Sequence, residues 1–165
     1  MSKIKVILSG ENLPEAQVIE IEENTSIEEI VILHKEVADV DGSIDEYEIF
    51  IEDADTSCDR DRNIKHHGIG HHHRIHCHRC KHVSVELQYN VDMGVLKVSP
   101  STTGQKILSL LPTVFPNITP KDAADLRLQV SMDKFVGASE QIGIFVSYPD
   151  CQIKIDVVAK KNVNG

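Results

Sequence analysis

The chain has 165 residues, 41% hydrophobic and 26% charged, which suits one ordinary domain or two small ones and excludes a disordered chain. A net charge of −9, no tryptophan and only 4% aromatic residues argue against a phosphate-backbone partner and against stacking platforms for single-stranded nucleic acid. The charge is uneven: residues 1–80 carry 8 Lys+Arg against 18 Asp+Glu and residues 81–165 carry 9 against 8, so an acidic half precedes a near-neutral one.

The opening Lys3-Ile4-Lys5-Val6-Ile7-Leu8 reads as a strand, Gly10-Glu11-Asn12 as a turn region, and Val18-Ile19-Glu20-Ile21 as the return strand of a hairpin. Asn24-Thr25-Ser26 is a cluster of helix-capping residues, and Glu28 is spaced to close a capping box with Thr25. Ile27, Ile30, Val31 and His34 then fall on one helical face, with the helix ending near Asp41-Gly42. Tyr47–Ile51 is a third strand, Asp53–Asn63 a charged loop, and Arg74–His78 the last strand of this half. No apolar run approaches the roughly 18 residues of a membrane span, and the first ten residues lack a signal-peptide core. A cytoplasmic protein is therefore expected, with its four cysteines (Cys58, Cys77, Cys80, Cys151) as thiols rather than disulfides.

Between the halves lies "HHHRIHCHRC", residues 71–80. Strand alternation places Ile75 and Cys77 in the first core and His76, His78 and Cys80 on an open, solvated face. Cys77 and Cys80 have the spacing of half a zinc site, but in strand they point oppositely and no second such pair follows, so no metal or cofactor is expected. His71-His72-His73 reads as a segment that would bind nickel or zinc adventitiously. A nucleophilic Cys77 assisted by His76 or His78 is disfavoured for the same reason, since adjacent strand residues point apart. Only Arg79-Cys80-Lys81 separates this strand from the next, so two units meet with almost no linker.

The second half repeats the order of the first. Val83, Val85, Leu87 and Tyr89 alternate with polar residues, Asn90–Gly94 turns, and Val95–Val98 returns. Ser101-Thr102-Thr103 caps a short helix whose apolar face is Ile107, Leu108, Leu110 and Leu111, with Pro112 near its end and Pro116 beyond. Leu126–Val130 is the third strand, and Ile153, Ile155 and Val157 alternate in the last. Strand, strand, helix, strand, loop, strand, given twice, predicts an α+β fold of two tandem units, 1–80 and 81–158, followed by a flexible tail, 159–165.

At this size the first and last strands of such a unit commonly lie side by side, the β-grasp arrangement. The hairpin, "SPSTTGQKILSLL", "LRLQV" and a final strand running into a tail resemble ubiquitin. The whole chain is more similar to the two-domain ubiquitin-like modifiers of bacterial antiphage (Bil-type) conjugation systems. The resemblance is carried by the "HCHRC" junction, the following V-x-V strand and the tail ending Lys160-Lys161-Asn162-Val163-Asn164-Gly165. It implies two ubiquitin-like β-grasp domains, with Gly165 as the point of covalent attachment and Lys160, Lys161, Asn162, Val163 and Asn164 as the partner-binding tail. The implied partners are an activating enzyme, a conjugating enzyme, a deconjugating protease and a target protein. The chain ends Asn-Gly rather than Gly-Gly, which implies dedicated rather than eukaryotic-type machinery. A glycine suits the acyl position because no Cβ shields its carbonyl.

No P-loop, G-x-G-x-x-G, G-x-S-x-G or H-E-x-x-H pattern is present, so no catalytic residue is assigned and the chain is not expected to be an enzyme. Two alternatives stand beside the modifier: a non-conjugated β-grasp adaptor, and a metal-binding protein using the His/Cys-rich segment.

Overall fold

The alternation at the N-terminus forms a hairpin of β1 (Lys3–Gly10) and β2 (Leu13–Glu22) in the computed structural model, which describes residues 2–160. Helix α1 (Ile27–Ala38) follows, then β3 (Glu48–Ile51) and β4 (Arg74–His78). These four strands form one mixed sheet in the order β2-β1-β4-β3, with β1 and β4 parallel at its centre. Helix α1 buries Ile27, Ile30, Val31, His34 and Ala38, the face anticipated from the 3.6-residue period. Val6, Leu8, Ile49, Ile75 and Cys77 meet that face from the strands. The long 52–73 connection adds Ile64 and Ile69 to the same core, so part of it is structural rather than merely a loop. Each side chain fully buried in this way contributes roughly 1.5–3 kcal/mol of transfer free energy.

Residues 83–159 build a second sheet from β5 (Val83–Tyr89), β6 (Asp92–Val98), β7 (Leu126–Ser131), β8 (Lys134–Phe135) and β9 (Gln152–Ala159). Its order is β6-β5-β9-β7-β8, again with the first and last long strands parallel and adjacent. Helix α2 (Gly104–Val114) covers one face through Ile107 and Leu111, and a short α3 (Pro120–Ala123) follows. Both sheets therefore have the β-grasp arrangement, each over its own hydrophobic core. Neither α3 nor β8 was anticipated. Both are shorter than the windows in which periodicity is read.

The cap of α1 sits one residue later than expected. Ser26 and Glu29 form the reciprocal box, because the Thr25 hydroxyl instead donates to Glu22 O at 2.6 Å. In α2, Thr103 is the cap, accepting from the Lys106 N–H at 3.2 Å. Pro112 lies inside the helix, whose last turn continues to Val114.

Two expectations are corrected. Cys80 and Cys151 are not thiols but form a disulfide, because the junction residue and the residue preceding β9 come together in the second core. The face carrying His76 and His78 is not open, as both rings are fully buried. Strand alternation was right about direction, but the second half of the chain covers that face.

Candidate functional site

Two places bear on function: the end of β9, which leads to the tail, and the seam where the halves meet.

Strand β9 lies between β5 and β7, so its path is set by hydrogen bonds on both sides. Leu126 pairs with Ala159, and the Lys160 N–H then donates to Asp125 O at 2.8 Å. The exposed Lys160 ammonium donates to Ala124 O at 3.2 Å. The chain is thus held in register up to Lys160, and Lys161, Asn162, Val163, Asn164 and Gly165 lie outside the described residues. On the edge strand β6, Met93 and Val95 stand exposed, and Val91 projects from the turn before it.

The seam is built on the row Ser9–His76–Phe50, which runs across β1, β4 and β3 on the side of the first sheet away from α1. The segments Pro100–Thr103 and Gln141–Val146 pack over it. The hydrogen bonds fix the tautomers. The Ser9 hydroxyl donates to Gln141 Oε1 at 3.0 Å, so it accepts from His76 Nδ1–H at 2.8 Å. His76 Nε2 then carries a bare lone pair with no partner, against Gly143. His78 accepts the Cys80 N–H at Nδ1, 2.9 Å, and donates from Nε2 to Val146 O at 3.2 Å. Because Nδ1 is already an acceptor, its 3.7 Å approach to Glu11 Oε1 is not an ion pair. The two rings stack with centroids 5.8 Å apart.

Electrostatics follow from burial. Desolvation holds His76 well below the ordinary imidazole value, and the neighbouring His78 and His34 act in the same direction. Burial also lowers His78 and brings His34 down to about 4. Burial opposes ionisation of Glu11, but hydrogen bonds from Arg79 outweigh it and keep the carboxyl below its usual range. Arg79 holds that carboxylate through its backbone N–H and its guanidinium, which also lies over the Tyr47 and Tyr148 rings.

Acidity of the first half serves the second most directly at the start of α2. Asp53 accepts the Thr103 N–H at 2.8 Å and its hydroxyl at 3.0 Å, which puts a carboxylate at the N-terminus of α2 where the helix dipole favours it. Beside it, Ser99 Oγ–H donates to Ala54 O at 2.6 Å. Sequence reasoning missed Asp53, Ser9 and Gln141. Only the charged Asp53 carried any signal, and its partner lies 50 positions away.

Of the other residues singled out, Cys77 is a free thiol sealed in the first core and Cys58 a half-buried one. His71, His72 and His73 are exposed, and His71 and His73 accept backbone N–H groups of Lys5 and Gly70. Among the described residues no three His, Cys, Asp or Glu side chains gather into a cluster that would hold a metal ion. Nor is any helix there long and apolar enough to cross a membrane.

No protein-family model and no curated protein sequence matches the chain. Solved structures similar to it include the ubiquitin-like domain of an Arabidopsis thaliana protein, with 15% identity over 47% of this chain and 77% of that one, at a TM-score of 0.39. Another is a chain in a crystal structure of a pParkin–pUb–UbcH7 complex, with 13% identity over 50% of this chain and 25% of that one, at 0.40. At these scores the strand order, not the likeness, carries the β-grasp assignment.

Proposed function

We propose that the chain is a ubiquitin-like protein modifier built of two tandem β-grasp domains, one over 1–80 and one over 81–158, and joined to target proteins through Gly165. The observation that most supports this reading is the position of β9: the strand that feeds the tail is a central, doubly paired strand of a β-grasp sheet, pinned as far as Lys160. In such a design the body is a handle, and the chemistry happens beyond it. The Gly165 carboxylate, once free, reacts with ATP to give an acyl-adenylate and pyrophosphate. A cysteine thiolate of the activating enzyme displaces AMP, and after transfer to the conjugating enzyme an acceptor amine displaces the thiol. Nucleophiles and bases belong to those partners, so the chain itself is not an enzyme. The setting proposed is the bacterial cytoplasm, in antiphage defence, with a protease that reverses attachment. Lys160 and Lys161 supply charge for steering onto acidic partner surfaces.

The tail provides its own test. Trypsin cuts after Lys161, so any attached copy leaves Asn162-Val163-Asn164-Gly165 branched on the acceptor residue. Mass spectrometry of tryptic digests from source cells should find that remnant, and Gly165→Val, which places a β-branched group beside the reacting carbonyl, should abolish it without loss of the folded protein. Cells rich in the protein but devoid of the remnant would favour the non-conjugated adaptor.

A further inference from the structure

Three consecutive junction residues grip one segment of the second half. His78 Nε2–H donates to Val146 O at 3.2 Å, the Arg79 guanidinium lies 4.4 Å over the Tyr148 ring, and Cys80 is bonded to Cys151. The segment Val146–Cys151 belongs to no helix or strand. Its backbone N–H bonds are short-range, from Val146 to Gly143 O and from Cys151 to Ser147 O, and its last carbonyl, Cys151 O, accepts the Ser84 N–H of β5 at 3.0 Å. It leads directly into β9. Tyr148 is 40% exposed, so the stacking on Arg79 is partly solvated and weak, and the disulfide is the covalent member of the three contacts.

We propose that the Cys80–Cys151 bridge is a redox-sensitive clasp: oxidised, it holds the 146–151 segment against the junction; opened by a dithiol reductant, it frees that segment and loosens the seam between the halves. One thiolate of the reductant attacks the Cys151 sulfur, since Cys151 is half-buried and Cys80 only 1% exposed. The protein S–S bond breaks with Cys80 leaving as thiolate. The second reductant thiolate then displaces Cys151 and closes the reductant's own disulfide. Two electrons pass to the protein and both cysteines take up a proton. The remaining cysteines do not compete. Cys77 is enclosed in the first core, and burial pushes the Cys58 thiol up to about 11, leaving little thiolate near neutral pH.

The test compares the full chain, air-oxidised and after treatment with dithiothreitol, by intact mass with thiol alkylation and by amide hydrogen exchange. The oxidised protein should show two alkylatable thiols once denatured, and the reduced protein four. Reduction should speed exchange at the Val146 and Cys151 amides by at least about tenfold, while the β1–β4 pairing of the first sheet keeps its protection. Cys151→Ser should exchange at the reduced level whether or not reductant is present. If that variant fails to fold, the two forms of the wild type still decide. Four free thiols in air-oxidised protein, or identical exchange in both forms, overturns the proposal.

Discussion

At Gly143 an added Cβ would stand 2.1 Å from His76 Nε2 and 2.9 Å from Pro100 Cβ, so the close approach of the two halves depends on the absence of one methyl group. Gly143→Ala must push the His76 ring or the Ile142–Phe145 turn out of place. The expected loss is about 1–3 kcal/mol, the usual range for overpacking. Urea unfolding of both proteins would measure it, and an unchanged midpoint would mean that the seam is not packed this way in solution. Nothing in the stretch "QIGIFVSY" signalled this role. A glycine chosen for the space beside a distant histidine leaves no periodicity and no motif behind.

Helix α2 is the element whose register was most legible. Ile107 and Leu111, four residues apart, both have 0% exposure beneath the second sheet. Leu111→Ala should therefore destabilise the protein by about 2–5 kcal/mol, because the strands and Phe115 around it collapse only partly into the space. A loss within the error of chemical denaturation would show that the helix does not seat as described. Helix α1 shows where legibility stops. Thr25 with Glu28 and Ser26 with Glu29 satisfy the capping pattern equally well in sequence. The structure chose the second because Thr25 is tied back to Glu22 while its carbonyl accepts the Ile64 N–H.

For the molecule as a whole the buried histidines, His76 and His78 at the seam and His34 on α1, predict acid sensitivity. His76 and His34 each keep a ring nitrogen that has no hydrogen-bond partner, and His78 uses both of its nitrogens as a neutral ring. A proton has no acceptor to point at on the first two, and on His78 it would displace the Cys80 N–H. Among the described residues Glu11, 3.7 Å from His78, is the carboxylate in salt-bridge range of these rings, and Arg79 already occupies it. The sign is set by the lowered values: the unfolded chain binds protons near 6.5 while the folded chain resists, so stability is full above that pH and falls as pH decreases. His34, brought down to about 4, alone accounts for about 3 kcal/mol lost between those limits, and the other two add in the same direction. Denaturant midpoints at pH 7.5 and pH 5.0 should differ clearly, with the acid value lower. Equal midpoints would mean that these rings are solvated rather than enclosed.

The order of the longer elements and the buried positions of α1 and of α2 at Ile107 and Leu111 were determined by the sequence itself, because each follows from local periodicity and a repeated pattern. The parallel pairing of first and last strands was instead expected from the β-grasp arrangement common at this size. The direction of each side chain on β4 was determined as well. What lies opposite those side chains was not. His76, His78 and Cys80 point where alternation sends them, but only the tertiary structure brings Gln141, Val146 and Cys151 to that face, 65 or more positions along the chain. A strand pattern states which residues leave the first core. Whether they then meet water or another half of the same chain depends on long-range packing, which no window of the sequence contains.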